Sequence, residues 1–339
     1  MKFIRNIILV IYVLLFGSSC YSGRAIKEEV LINLADIEVT NFADGVPYSQ
    51  KIYEDFIQDK FVVLGVSALV VIEKEDRQKT KYLKYETPSL NPTLIRIDGK
   101  MRIVAGGGGF LPVGLMNDQG ELLWKYIPDP KFDPFDMEGG DLDKDGITEF
   151  YVGNHDGVHS LDMNGKMIKK TWPLWIHDVE IGKYNSDDVV IGLSRNVFYF
   201  WDYKGNLIKK FDLKVNFSHF VIINWPTKHN ILTSNGNDIY LVDMEGNIIL
   251  KKKVDHKIYD INGTAVYFNE SSMPYLAIVA NYSSSYNKSL LCVFSPDGKM
   301  IYKEVIGSTQ AILAVDRKYG KSQYLLVGGF PKIKKYELK

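Results

Sequence analysis

From Asp141 to Glu149 the chain reads Asp-Leu-Asp-Lys-Asp-Gly-Ile-Thr-Glu. Carboxylates alternate at Asp141, Asp143 and Asp145, Gly146 allows a sharp turn, and Glu149 follows four residues after Asp145. With a backbone carbonyl at Ile147, this loop offers an oxygen cage for a hard cation. One calcium ion is expected there, because calcium accepts six to eight flexible oxygen ligands whereas magnesium demands a tighter octahedron. The expected ligands are Asp141, Asp143, Asp145, Ile147 and Glu149, and the expected task is structural. The competing reading is a loop that keeps acidic side chains only to shape its own turn.

Histidines are the next candidates. His177 lies in Trp175-Ile176-His177-Asp178 and His219 in Phe217-Ser218-His219-Phe220, at comparable places ahead of a strand pattern. Asp136, Glu138, Tyr259 and Asp260 fall at similar junctions. His155 and His159 flank a hairpin turn and are expected at the surface. The Lys-rich ends Lys169-Lys170, Lys209-Lys210 and Lys251-Lys252-Lys253 recur at one place in successive units, as solvated strand ends do. No Gly-X-Ser-X-Gly motif, zinc-hydrolase helix or nucleophile–base pair is visible, although carboxylates paired only in space leave no spacing to read.

The elements that must position these residues are short strands joined by tight turns. Turn glycines recur at Gly120, Gly165, Gly205, Gly246 and Gly298, at spacings of 45, 40, 41 and 52. Three residues before each stands Asn117, Asp162, Asp202, Asp243 or Ser295. The polar side chain shapes the turn and Gly supplies a positive φ, so each unit contains a hairpin. Val158/Ser160, Phe198/Phe200 and Ile239/Leu241 alternate with Tyr199 and Tyr240, the period of two of a strand. Units of about 40–50 residues with four short strands are the signature of a β-propeller. A degenerate unit begins near Phe61, and a last one from Gln323 stops one strand short. The expected fold is therefore all-β, a single propeller of four-stranded blades. Seven blades are expected, with six or eight still open. Residues 30–35 and 37–39 could supply the missing outer strand and close the ring.

Residues 137–154, continued by Asp156-Gly157-Val158 and Asp162-Met163-Asn164-Gly165, are similar to an FG-GAP/VCBS-type repeat, as in integrin-alpha-like propellers. The resemblance implies the same calcium roles for the acidic loop, and only this unit carries it closely. Gly120-Glu121-Leu122-Leu123-Trp124 resembles the Gly…Trp turn of quinoprotein-like repeats, which the later units have lost. In propellers, loops that enter the first strand of each blade line the mouth of the central channel. His177, Asp178, His219, Tyr259 and Asp260 are accordingly the candidates for a channel-mouth binding site. Hydrogen-bonded loop packing is the competing explanation.

The first residues give an address. Lys2 and Arg5 precede ten apolar residues, Ile7 to Phe16, too few for the ~20 that a membrane span needs. Gly17, Ser18, Ser19 and Cys20 follow, which resembles a bacterial lipoprotein signal, with Gly17 departing from the usual Leu. The resemblance implies cleavage before Cys20, lipidation of its sulfur, and through Tyr21 a lean toward the outer membrane. The expected organisation is a signal peptide over 1–19, an anchor and linker over 20–28, and the propeller over 29–339. Cys292, in an apolar strand pattern, is expected to be a buried inert thiol.

Among 339 residues, 41 basic side chains balance 41 acidic ones, which argues against a broad nucleic-acid footprint. The expectation is a lipid-anchored propeller of the bacterial cell envelope that binds an envelope protein or a glycan without catalysing a reaction. The alternative is a carbohydrate-active enzyme, a polysaccharide lyase or hydrolase. A quinoprotein-like dehydrogenase is less well supported, given the lost Trp pattern.

Overall fold

A computed structural model describes residues 26–33, 49–55, 57–74, 80–86, 91–107, 112–128, 134–171, 175–225, 228–268, 272–283, 288–307, 309, 311–316, 323–329 and 332–338. The expected signal segment 1–19, Cys20 and the linker up to residue 25 lie outside the described residues. Among those described, 28 strands form seven antiparallel sheets of four, arranged as a seven-bladed propeller with no helix.

The chain opens with β1 (Ile26–Asn33). Blade 1 is β2 (Ser49–Asp55), β3 (Lys60–Gly65), β4 (Ala68–Glu73) and β5 (Thr80–Lys84). Blade 2 follows as β6 (Thr93–Ile97), β7 (Lys100–Ala105), β8 (Val113–Asn117) and β9 (Leu122–Tyr126). Blade 3 is β10 (Asp136–Gly140), β11 (Glu149–Asn154), β12 (Gly157–Leu161) and β13 (Met167–Thr171). Blade 4 is β14 (Asp178–Tyr184), β15 (Asp187–Ser194), β16 (Val197–Trp201) and β17 (Leu207–Asp212). Blade 5 is β18 (Phe220–Asn224), β19 (His229–Asn235), β20 (Asp238–Asp243) and β21 (Ile248–Lys253). Blade 6 is β22 (Asp260–Val266), β23 (Tyr275–Asn281), β24 (Ser289–Phe294) and β25 (Met300–Ile306). Blade 7 contains β26 (Ile312–Asp316), β27 (Gln323–Gly329) and β28 (Lys332–Leu338), and β1 pairs with β28 as its outermost strand. That strand starts at Ile26, upstream of the apolar run at 30–35. Joining the two ends of the chain in one sheet removes a free edge.

No single core holds the ring. Seven apolar clusters each lie between two consecutive blades, and the one joining blade 7 to blade 1 packs Ala311, Val315, Leu326 and Ile333 against Ile52, Val63, Val70 and Ile72. Both faces of a blade are therefore covered, and its middle strands are buried without alternation, as β23 and β24 are along their whole length. This arrangement corrects one expectation. His159 is only 4 % exposed, because β12 is a middle strand: its Nδ1 meets the Tyr126 hydroxyl at 2.8 Å and its Nε2 lies 2.8 Å from Asp156 Oδ1. Cys292 in β24 is buried, and burial pushes its thiol up to about 12.

The turn that recurs through the sequence links the third and fourth strands of blades 2 to 6. At Asp162 the carboxylate accepts the N–H groups of Asn164 and Lys166 at 2.9 Å each. Gly165 then turns at φ +74, and a Cβ there would stand 2.6 Å from the Trp124 ring of the preceding blade. Trp124 Nε1 donates to Met163 O at 2.9 Å, so the turn is also an inter-blade latch. Just after each turn the outer strand bulges. Leu115 and Met116 pair with Trp124 and Leu122, leaving Leu123 extra, and the same offset leaves out Ile168, Ile208, Ile249 and Ile301. A bulge turns consecutive side chains outward and twists an exposed edge away from a partner strand.

Candidate functional site

Alternation of direction within each blade gives the ring two unlike faces. First strands begin on one face, together with the turns between second and third strands; this is the entry face. The opposite, turn face carries the Asp/Asn–Gly turns and the loops between first and second strands, including 141–148.

At the entry face the first strands of neighbouring blades meet around the centre, and polar residues sit at their starts. Asp136 Oδ2 accepts the N–H of Val179, in the next blade, at 3.3 Å. Asp178 Oδ2 accepts the N–H of Phe220, one blade further on, at 2.7 Å. His219 completes the row, with Nδ1 2.8 Å from Asp178 Oδ2 and Nε2 3.6 Å from Asp260 Oδ1. Four consecutive blades are thus joined through side chains at equivalent positions.

The protonation pattern follows from the geometry. Burial alone would lower the His219 value, but Asp178 and Asp260 overcome it and push it up to about 10. The ring is therefore an imidazolium at neutral pH and has no lone pair with which to act as a base. Asp178 is held below its ordinary value: burial opposes ionisation, and the charge and hydrogen bond of His219 outweigh it. Asp136 goes the other way, raised by burial and by the neighbouring Asp178 charge. The two carboxyls interact side chain to side chain, an arrangement that one shared proton stabilises.

Deeper in the channel, Lys51 Nζ donates to Thr93 Oγ1 at 2.7 Å, and Thr93 in turn donates to Glu138 Oε1 at 2.7 Å. Glu180 faces this group, and burial followed by the Glu138 charge pushes its carboxyl up to about 8. Of the residues expected at the mouth, Asp178, His219 and Asp260 come together. His177 stands aside: its Nε2–H donates to Phe217 O at 3.2 Å, and burial lowers its value. Tyr259 packs under the Lys257 ammonium, 5.1 Å from the ring centroid. Lys51, Thr93 and Glu180 were missed by the sequence reading. A signal existed for Glu180, since Asp-X-Glu at Asp136–Glu138 recurs 42 residues later at Asp178–Glu180.

Beside the mouth, blades 3 and 4 present a row of rings to solvent. Phe135 and His155 lie 4.7 Å apart, His155 and Trp175 stack at 6.1 Å with an interplanar angle of 13°, and the Arg195 guanidinium sits 5.1 Å from the Trp175 centroid. Trp175 is 38 % exposed and has a φ of 58°, a left-handed conformation that a bulky residue rarely adopts. Its N–H donates to His155 O at 2.7 Å, which holds that conformation. Arg195 makes no ion pair among the described residues, so its donors remain available beside the ring.

On the turn face, the acidic loop folds around its own carboxylates. Asp141 accepts the N–H groups of Asp145 at 3.1 Å and Gly146 at 3.0 Å, and Asp145 accepts that of Ile147 at 2.7 Å. Oxygens of Asp141, Asp143 and Glu149 lie within 4.8 Å of one another; Asp145 is not part of that group. Burial, with Asp143 and Asp145 adding to it, pushes the Glu149 carboxyl up to about 7. Its buried Oε2 has no hydrogen-bond partner among the described residues. One lysine of each Lys-rich strand end is ion-paired, Lys170 with Asp156, Lys209 with Glu245 and Lys251 with Asp238.

No protein-family model and no curated protein matches the chain. Solved structures do. BBS1N in complex with ARL6DN aligns with a TM-score of 0.61 at 10 % identity, over 94 % of this chain and 96 % of that one. A streptogramin B lyase aligns at 0.55 and 14 %, over 95 % of this chain and all (100 %) of its own. BamB from Moraxella catarrhalis aligns at 0.51 and 13 %, over 88 % and 84 %. At such identities the likeness establishes the propeller fold alone.

Proposed function

We propose that the chain is a lipid-anchored propeller of the bacterial cell envelope whose entry face binds a protein partner without catalysing a reaction. The observation that carries this reading is the Trp175–Arg195 pair on a rigid rim. Trp and Arg dominate the energetic centres of protein interfaces, where a pre-ordered side chain loses little entropy on binding. Trp175 is held in a strained backbone and Arg195 is stacked on it, so both are ordered before any partner arrives. A glycan is the second reading, and Arg195 weighs against it by covering ring surface on which a sugar would stack. The solved BBS1N–ARL6DN complex shows that a propeller of this kind can serve as a protein-binding module. His219, held between two carboxylates, does not offer the free imidazole base that a histidine-dependent hydrolysis or elimination would need.

The anchor is assigned to Cys20 by its resemblance to a lipoprotein signal. The acidic loop is proposed to hold one calcium ion through Asp141, Asp143 and Glu149, with Asp145 and the Ile147 carbonyl as the remaining expected ligands. The three clustered carboxylates and the unpartnered Oε2 of Glu149 support it. Clustered hard oxygen donors suit a divalent ion.

The test is affinity purification of the tagged chain from crosslinked native envelopes, in parallel with a Trp175→Ala/Arg195→Ala variant. A protein recovered in stoichiometric amount with the parent and lost with the variant is the expected result. A parent that recovers nothing, or a variant that recovers the same protein equally, would remove the entry-face assignment.

A further inference from the structure

Chain direction decides which face the N-terminus leaves. In β1, Ile26 pairs with Leu338 at the end of β28, and Asn33 pairs with Lys332 at its start. Outer strands begin at the turn face, so Ile26 emerges there, opposite Trp175 and the channel mouth. Cys20 stands six residues earlier, and a chain of six residues spans at most about 20 Å even when fully extended. A lipid on Cys20 therefore keeps the turn face within that distance of the bilayer.

The same face carries an arc of exposed aliphatic side chains. They are the bulged residues of four consecutive outer strands, Leu123, Ile168, Ile208 and Ile249, together with Met167, Leu207 and Ile248. Ile168 is 62 % exposed, and the pattern recurs at four of the five bulges; the fifth bulged residue, Ile301, packs partly buried against the cluster between blades 6 and 7. Ile57 and Ile147 project from loops of the same face, and Tyr203 with Lys204 over its ring adds an amphipathic pair. The aliphatic groups follow the rim over four consecutive blades, one cluster per blade. A protein partner with a compact apolar core would leave most of them uncovered, whereas a fluid plane covers them all.

We propose that the turn face is a bilayer-docking surface, on which the bulge residues insert at the headgroup–acyl boundary while the entry face points away from the membrane. The proposal rests on the assignment of Cys20 as the lipidated residue. Turn-face charges lean acidic: the loop carboxylates Asp141, Asp143 and Asp145 add to Glu121, Glu245 and Asp297, against Lys144, Lys166, Lys204 and Lys299. Apolar insertion and not headgroup attraction is the driver, so the contact should survive raised salt.

The test uses the full lipidated chain in vesicles of phosphatidylethanolamine and phosphatidylglycerol. An environment-sensitive fluorophore is attached at Ile168→Cys or Ile249→Cys on the turn face, or at Lys257→Cys on the entry face. Cys292 is buried and unreactive, so it does not compete for label. Expected is a blue shift and several-fold stronger quenching by doxyl lipid at the two turn-face sites. Equal quenching at all three, or stronger quenching at Lys257→Cys, overturns the proposal. Intact-mass measurement of the same preparation reports lipidation separately, and an unmodified Cys20 sinks the anchor assignment. In that event the soluble chain is added to the same vesicles beside an Ile168→Ser/Ile208→Ser/Ile249→Ser variant. Binding that the variant loses supports the surface, and absence of binding by the parent overturns it.

Discussion

Replacing His219 by Leu removes the cation that bridges Asp178 and Asp260 and leaves Asp178 buried without its counter-charge. Breaking a buried pair from one side costs about 3–5 kcal/mol. Linkage gives an independent ceiling. An imidazole at 6.5 in the unfolded chain and about 10 in the folded one corresponds to at most about 5 kcal/mol. The sign follows from a raised folded value: the contribution is complete below about pH 6.5 and is lost as pH rises through about 10. Urea denaturation of parent and His219→Leu chains at about pH 6 should therefore differ by about 3–5 kcal/mol, and near pH 10 the gap should at least halve. A His219→Leu/Asp178→Asn double variant should recover part of the loss, since it no longer buries a lone charge. A gap that does not change with pH, or one below about 1 kcal/mol as for an exposed pair, would refute the reasoning.

Three further outcomes follow from other parts of the ring. Gly165→Ala should cost about 2–4 kcal/mol in denaturant titration, from left-handed strain plus displacement of Trp124, whereas Gly146→Ala, with the same sign of φ and open space around it, should cost about 1–2 kcal/mol. Calcium should raise the melting temperature of chelator-treated protein, and Asp143→Ala should abolish that rise; identical melting curves with and without calcium would dismiss the ion. Glu180, at 4.5 unfolded and about 8 folded, contributes stability that is present below about pH 4.5 and lost as pH rises through 8. Glu180→Gln should accordingly become more stable relative to the parent above about pH 8, by a few kcal/mol at most, in parallel pH-dependent melts.

What the sequence displays and what it hides divide along physical lines. Turn chemistry is local, so Asp162–Gly165 and its four counterparts could be read directly, and with them the repeat; the blade count stayed between six and eight because the first unit lacks that turn. Acidic spacing is local too, and Asp141, Asp143 and Glu149 do converge, although Asp145 turns to its own backbone. Burial was less legible. Alternation assigns one wet face to a strand, but a propeller covers both, which is why His159 lies inside and Tyr240 is as buried as Ile239. The first strands were the hardest to see. Three of them, β10, β14 and β22, begin with Asp, and β10 and β14 carry Glu138 and Glu180 inward, which breaks the apolar signature of a strand. The contacts that join Lys51, Thr93 and Glu138 span 42 to 87 residues and leave no trace in spacing. The bulges needed pairing registers, which no single strand contains.

The central claim is that the entry face around Trp175 meets a protein partner while the turn face meets the membrane. It is tested most directly by placing a photo-crosslinking amino acid at Phe135 or at Ile208 and irradiating intact envelopes. Phe135 should give a discrete protein adduct, and Ile208 a lipid adduct with no discrete protein. A protein adduct from Ile208 with none from Phe135 would contradict it.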